Sequence, residues 1–226
     1  MTPTRTRGPK APPRRGYHHG DLKNALRAAA STLLARHGAQ GVSLREIAVA
    51  AGVSHTAAYR HFADKQALLA DLAEEGFRRL AEINRRTTAA TPGGPLAQLE
   101  ACGRAYVRFG LEQPRLLELM FGQAVPDWSA HPGLQAASED LAQTLAGIVS
   151  AGQATGEIRA VPLGDVTLAA WSLVHGLALL IVGRRIPVPA IDDAFVAHAS
   201  RACVALLVAG IATSGSNPAG MTGSGS

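Results

Sequence analysis

Polar side chains gather in one short stretch of this chain, residues 41–62, with the sequence GVSLREIAVAAGVSHTAAYRHF. His55, Thr56, Tyr59 and His61 lie in its second half, and Arg45 lies near the start of its first half. An arginine can donate two parallel hydrogen bonds to a guanine, and threonine and tyrosine hydroxyls can bond bases or phosphate oxygens. These residues can therefore read nucleic acid, provided that the surrounding elements hold them in place.

The same stretch predicts two short helices joined by a tight turn. Ser43 and Glu46 have the S-x-x-E spacing of a capping box, and Ser54 can cap the second helix. Gly52 lies between them, where a tight turn needs a residue without a Cβ, and Ala58 is small enough for close helix packing. Helices this short are marginal alone, so each must stabilise the other. The pattern predicts a helix-turn-helix, although a helical hairpin used only for packing remains an alternative.

Position within this motif predicts which side chains touch DNA. The second helix of a helix-turn-helix presents its N-terminal residues to base edges in the major groove. His55, Thr56 and Ala57 occupy that leading end. Tyr59 and His61 lie near the far edge, where phosphates run.

Residues 21–72 resemble the DNA-binding region of the TetR (tetracycline-repressor-like) family of transcriptional regulators. The resemblance rests on an S-x-x-x-I-A-x-x-A-G-V-S core that begins at Ser43, on Tyr59, and on the pair His61-Phe62. It implies an all-α protein with an N-terminal three-helix DNA-binding domain and a C-terminal helical domain for dimerisation and ligand binding. It assigns base contacts to Arg45, His55, Thr56 and Ala57, and phosphate contacts to Ser43, Tyr59, His61 and Lys65. With the cap residue Ser54, these are the expected DNA-binding residues; Ala57 offers only a methyl group, which suits a thymine.

Apolar periodicity predicts the helices that carry this motif, and no strand-like alternation occurs. Predicted helices cover residues 21–37, 65–86, 96–111, 115–122, 134–153, 166–184 and 191–213, with a loop at 87–95. Asp192 and Asp193 are expected to cap the last helix. The expected domains are a DNA-binding domain over 17–64 and a ligand-binding and dimerisation domain over 65–213, flanked by a disordered arm (1–16) and tail (214–226).

Charge is concentrated in the arm. Its basic residues are Arg5, Arg7, Lys10, Arg14 and Arg15, and no acidic residue occurs before residue 21. The arm therefore accounts for the whole net charge of +5 of the chain. Such an arm either grips nucleic acid or another anionic surface, or is a solvated tail. It has no apolar region typical of a signal peptide, and two cysteines give no disulfide framework. We therefore expect a cytoplasmic protein.

Residues 166–183 contain no Asp, Glu, Lys or Arg. A membrane span is disfavoured because the segment includes Thr167, Ser172 and His175 and no second span is evident. A helix that is apolar on nearly all sides is buried on nearly all sides, so we expect it to pack on its own subunit and on a copy of itself. A four-helix bundle at the seam of a homodimer would then space two recognition helices about 34–36 Å apart, on a palindromic operator.

Aromatic and apolar residues of the second domain are candidates for an effector site, although each such residue alone is more often part of a core. They are Tyr106, Phe109, Met120, Phe121, Trp128, Trp171 and His175. His175 either bonds within the dimer or contacts an effector. The W-x-x-x-H-G pattern at Trp171, and Tyr17-His18-His19-Gly20-Asp21-Leu22, resemble one branch of the family.

The sequence shows no metal-ligand spacing and no catalytic motif, and it suggests no cofactor. We therefore expect a repressor released from its operator by a small-molecule effector, and not an enzyme. The alternatives are an all-helical enzyme with an apolar pocket and a non-specific architectural DNA binder.

Overall fold

The computed structural model describes residues 19–187 and 192–212, and within them the chain is helical apart from one isolated antiparallel bridge between Ile158 and Ala212. The helices are α1 (His19–His37), α2 (Leu44–Ala50), α3 (His55–Tyr59), α4 (Lys65–Ala90), α5 (Gly94–Glu112), α6 (Pro114–Phe121), α7 (Pro132–Ala154), α8 (Leu163–Val182) and α9 (Asp193–Ile211), with a 3-10 turn at Trp128–Ala130. The predicted all-α class is confirmed, with the short helices α2 and α3 near the N-terminus and the longer helices after them. The arm (1–16), Tyr17, His18 and the tail (214–226) lie outside the described residues.

Helix α4 is longer than the sequence predicted. It continues to Ala90, so the expected loop at 87–95 shrinks to residues 91–93. The threonines near its end bond back to the helix rather than break it, since Thr91 Oγ1 donates to the Thr87 carbonyl oxygen at 2.7 Å. The turn itself is at Gly93, whose φ of 97° lies in the left-handed region that favours glycine.

The start of α9 follows the prediction. The side chain of Asp192 accepts a hydrogen bond from the Phe195 backbone N–H at 2.8 Å. Because this bond satisfies one of the unpaired donors of the first turn, the expected aspartate cap is confirmed at Asp192.

One continuous hydrophobic core joins the two domains. Leu26 of α1 and Ile47 of α2 belong to the same buried cluster as Phe77 of α4 and Leu117 of α6. Helix α4 packs against α1, α5, α6 and α7, so it belongs to both domains at once. Helix α4 therefore links α1 to the later helices α5, α6 and α7.

Helices α8 and α9 leave apolar side chains exposed. Leu206 is 75% exposed and Leu168 is 57% exposed, and Leu179 and Leu180 are also exposed. By length and composition alone, both α8 and residues Ala194–Ile211 could cross a membrane, with 33% and 17% of their apolar windows buried. The expectation of a single such segment is therefore wrong, because α9 is as hydrophobic as α8.

Candidate DNA-binding and ligand-binding sites

The first helix of the motif begins with the predicted capping box. Ser43 Oγ accepts a hydrogen bond from the Glu46 N–H at 3.2 Å, and Glu46 Oε2 accepts one from the Ser43 N–H at 2.9 Å. The bonds with Ser43 hold the pKa of Glu46 below its usual value. These reciprocal bonds pair two backbone donors at the start of this seven-residue helix.

The turn and the second helix also follow from the sequence. Gly52 has a φ of 69°, and the Val53 N–H closes the turn on the Ala48 carbonyl oxygen at 3.0 Å. Ser54 Oγ accepts from the Ala57 N–H at 3.2 Å, which caps the five residues of α3. Ala58 is fully buried, so α2 and α3 meet through small side chains.

The structure places five of the nine predicted DNA-contacting residues on the surface and four at half-buried positions. The exposed ones are Arg45, Ser54, His55, Thr56 and Tyr59, and the half-buried ones are Ser43, Ala57, His61 and Lys65. The ring of His55 packs edge-on against Tyr59, with centroids 4.6 Å apart. Lys65 Nζ donates to the Gln40 carbonyl oxygen at 3.4 Å, which holds this cation beside the motif.

Sequence reasoning missed Arg60 as a candidate DNA contact. It is exposed at the end of α3, between Tyr59 and His61. Within the described residues neither Arg45 nor Arg60 lies within ion-pair distance of a carboxylate. Both guanidinium groups are therefore available to phosphates or bases. The signal that could have identified Arg60 was a second arginine, besides Arg45, in residues 41–62.

Helix α4 is tied to α1 beside the motif. The Asp71 carboxylate accepts from Lys23 Nζ at 2.8 Å and from Arg27 Nε at 2.5 Å. Burial acts to raise the pKa of Asp71, but the hydrogen bonds from Arg27 and Lys23 outweigh it and hold the pKa below its usual value. This ion pair is one of the contacts that join α4 to α1 beside the motif.

A cavity of about 660 Å³ opens inside the second domain. Helices α4, α5, α7, α8 and α9 supply most of its wall, and no Asp, Glu, Lys, Arg or His belongs to the lining within the described chain. Ligand sites of this size are mostly apolar with a few placed polar groups. Four of the predicted residues line it, namely Tyr106, Phe121, Trp128 and Trp171.

The other three predicted residues do not line the cavity. Met120 is fully buried against α4, where an added Cβ on Gly76 would lie 2.6 Å from its Sδ atom. Phe109 is 2% exposed and belongs to the same core cluster. Both are core residues because α5 and α6 turn these positions towards neighbouring helices rather than towards the empty space.

His175 is the third, and it lies behind Tyr106. Its Nδ1 atom is 2.7 Å from Tyr106 Oη, and the ring of Phe121 packs edge-on at 4.7 Å. Burial lowers the pKa of His175 and raises the pKa of Tyr106, so both groups are neutral near pH 7. The sequence left open whether His175 bonds within the dimer or contacts an effector. The described contacts show a hydrogen bond between His175 and Tyr106 of the same subunit.

Asn84 is a lining residue that the sequence did not suggest. It is 6% exposed, its Nδ2 donates to Thr144 Oγ1 at 3.3 Å, and its Oδ1 is buried with no hydrogen-bond partner. Helical spacing from Phe77 and Leu80 puts it on the buried stripe of α4. A single polar residue on that stripe was the available signal.

The other reactive groups give no sign of chemistry. Cys102 lines the cavity, but burial raises the pKa of its thiol, with Thr88 opposing the shift in part. Among the described residues no three His, Cys, Asp or Glu side chains are grouped closely enough to hold a metal ion.

Family models match both parts of the chain. Residues 26–72 match the model described as "Bacterial regulatory proteins, tetR family", and residues 99–208 match "Tetracyclin repressor-like, C-terminal domain". A search of curated proteins gave no match.

Solved structures extend the similarity over most of the chain. A Rhodococcus sp. RHA1 protein of unknown function is 34% identical, with a TM-score of 0.78, and the match covers 88% of this chain and 100% of that one. The regulator FadR of Bacillus subtilis in complex with stearoyl-CoA is 17% identical, with a TM-score of 0.69 and coverage of 83% and 98%. The ketosteroid regulator KstR2 of Mycobacterium tuberculosis is 16% identical, with a TM-score of 0.61 and coverage of 89% and 98%. The last two matches show a shared fold.

Proposed function

The chain belongs to the TetR family of bacterial transcription regulators, and we propose that it is a cytoplasmic, homodimeric repressor that a small-molecule effector releases from a palindromic operator. Proteins of this family are DNA-binding regulators rather than enzymes. The stearoyl-CoA complex of the Bacillus relative supports a ligand-binding role for the second domain of this chain.

The observation that carries this proposal is the course of helix α4. Its first residue is Lys65, at the end of the DNA-binding motif, and its later turns contribute Phe77 and Asn84 to the cavity wall. A helix of 26 residues is about 39 Å long, so α4 reaches from the motif to the cavity wall. A ligand that shifts the wall at Asn84 therefore also shifts the start of α4 and, through Asp71, helix α1.

The apolar faces of α8 and α9 support dimerisation. Both helices have exposed leucines, of which Leu206 is the most exposed, and this exposed apolar surface is unfavourable in water. Pairing the two helices with their copies across a two-fold axis buries this surface in a four-helix bundle. A two-fold dimer presents two recognition helices in opposite directions, which matches a palindrome with half-sites about 34–36 Å apart.

Repression and release are then two sides of one equilibrium. A ligand can bind more tightly when the two subunits are spaced so that their recognition helices do not fit DNA. Such a ligand weakens DNA binding, and DNA weakens ligand binding by the same factor. That factor is typically about 5–150-fold.

DNA binding is tested by fluorescence anisotropy with the intergenic DNA beside the protein's own gene and with random DNA of equal length. We expect the intergenic palindrome to bind about 10³-fold or more tightly than random DNA at physiological salt. Equal affinity for both would instead identify a non-specific architectural binder. A rise in transcription of the neighbouring gene when the protein is absent is the expected result for a repressor, and a fall would identify an activator.

The dimer is tested separately by sedimentation of Leu206→Asp. A charge on this exposed leucine should shift the protein to monomer and abolish operator binding, because a single motif then faces a single half-site. Ala136→Asp, at an exposed position on α7, is the matched control and should remain dimeric. A dimeric Leu206→Asp protein with normal operator binding would contradict the assignment of this face.

A further inference from the structure

Among the described residues that border the cavity, Asn84 has a buried side-chain atom without a hydrogen-bond partner. Tyr106 is already paired with His175, and the lining has no charged side chain within the described residues. Asn84 Oδ1, in contrast, is buried without a donor. Buried acceptors are almost always paired in folded proteins, so an unpaired one on a residue that borders a cavity needs an explanation.

The orientation of the Asn84 amide follows from its neighbour. Thr144 Oγ1 donates its single proton to the Leu141 carbonyl oxygen at 2.7 Å. It can therefore only accept from Asn84, which requires the amide NH₂ to face Thr144 and the oxygen to face away. The free group on Asn84 is thus an acceptor, and exchanging the nitrogen and oxygen positions would leave Thr144 facing an atom that cannot donate to it.

We propose that the cavity selects a neutral, largely apolar molecule that carries a hydroxyl or N–H donor, and that Asn84 Oδ1 is the acceptor that receives this donor. The proposal rests on the ligand-binding role proposed above. An anion has no cation to pair with in this wall, and burying an unpaired charge is costly. An apolar molecule without a donor leaves Oδ1 as it is.

A donor reaches Oδ1 through a small rotation of the amide. Protein atoms cover the oxygen, but Asn84 as a residue borders the cavity. The last torsion of asparagine is broad, and the bond to Thr144 is long at 3.3 Å, so a modest turn costs little. Because Asn84 lies on α4, the same turn couples ligand recognition to the helix that leads to the DNA-binding motif.

Three probes of nearly equal size test the proposal by titration calorimetry on the full chain at pH 7. They are 4-cyclohexylphenol, which has a donor, 4-cyclohexylanisole, which has none, and 4-cyclohexylbenzoate, which is an anion. We expect the phenol to bind about tenfold more tightly than the anisole, and the benzoate to bind most weakly. In Asn84→Leu the phenol and the anisole should bind within about twofold of each other. Gln135→Leu is the control, because Gln135 is an exposed polar residue of α7 outside the cavity lining, and it should keep the wild-type preference.

A second variant guards against a folding defect. Thr144→Val removes the atom that fixes the amide, so Asn84 can present either end, and the preference for the phenol should shrink. Equal affinity of the phenol and the anisole for the wild-type protein overturns the proposed selectivity, as does binding of none of the probes. Release of operator DNA by the phenol is measured separately by anisotropy. Binding without release would count against the proposed repressor mechanism and leave the selectivity intact.

Discussion

The DNA-binding motif and the cavity are determined in opposite ways. Helices α2 and α3 contain seven and five residues, and their own serines, glycine and alanine specify where each begins, turns and packs. The cavity is the space that five longer helices leave between them, and its wall combines residues from Phe77 to Leu207. A local motif can be read from neighbouring residues, whereas a cavity depends on packing between distant ones.

The largest expected effect comes from a residue of the cavity wall that also belongs to the core cluster shared with the motif. Phe77 is fully buried, contacts the rings of Phe121 and Trp128 edge-on, and lines the cavity. Phe77→Ala should lower the free energy of unfolding by about 3–5 kcal/mol, because it leaves a hole in the shared core. Urea unfolding followed by circular dichroism and by tryptophan fluorescence measures it.

Because the core is continuous, both signals should lose stability together. Two well-separated transitions in the variant would show that the two regions are energetically independent despite sharing α4. Val49→Ala, at a position that is 73% exposed, is the control and should change stability by less than about 0.5 kcal/mol.

The second prediction separates the two roles within the motif. Arg45→Ala should weaken operator binding by about 1–3 kcal/mol and relax the preference at one base pair per half-site, since a bidentate contact to guanine is lost. Lys65→Ala should weaken binding to every sequence alike and lower the salt slope by about 0.9 per half-site. Anisotropy titrations over a salt series, with operator variants, measure both. Equal loss of specificity in the two variants would contradict the division into base and phosphate contacts.

The contrast between a local motif and a cavity formed by distant residues explains how much of the structure could be predicted from the sequence. The capping box at Ser43, the turn at Gly52 and the cap at Asp192 depend on residues within a few positions of each other, and the structure has all of them. The extension of α4 to Ala90 was missed because two glycines and two prolines after it suggested an earlier stop.

The cavity was only partly predictable for a different reason. Aromatic residues such as Trp171 could be named as candidates by size, but periodicity alone does not tell a buried face from one that borders an empty space. Met120 and Phe109 therefore proved to be core residues. Asn84 was missed because its unpaired oxygen becomes visible only when Thr144 and Leu141 are placed beside it.

The third prediction tests whether the motif really is locally specified. Ser43→Ala removes the side-chain cap of α2 and should cost about 1 kcal/mol of stability, while Ser43→Thr should retain most of it. Operator affinity should fall with the alanine variant, and the affinity of the cavity for 4-cyclohexylphenol should stay unchanged. A change in ligand affinity as large as the change in DNA affinity would show that the cap acts through the whole protein.

The smallest expected effect concerns the link between the two regions. Asp71 joins α4 to α1 through Arg27 and Lys23, whose side chains are 30% and 40% exposed, so Asp71→Asn should cost less than about 1 kcal/mol at pH 7. The pKa of Asp71 is lower in the folded protein than the usual value of about 3.9, so its contribution is present above that pH and is lost as the pH falls through the folded pKa. The stability difference between wild type and variant should therefore vanish in acid.

The variant should also show a weaker coupling between ligand and operator, because the carboxylate transmits the motion of α4 to α1. Glu118→Gln removes a comparable ion pair with Arg115 within α6 and should leave the coupling intact. An equal loss of coupling in both variants would mean that surface charge in general, and not this link, connects the cavity to the DNA-binding motif.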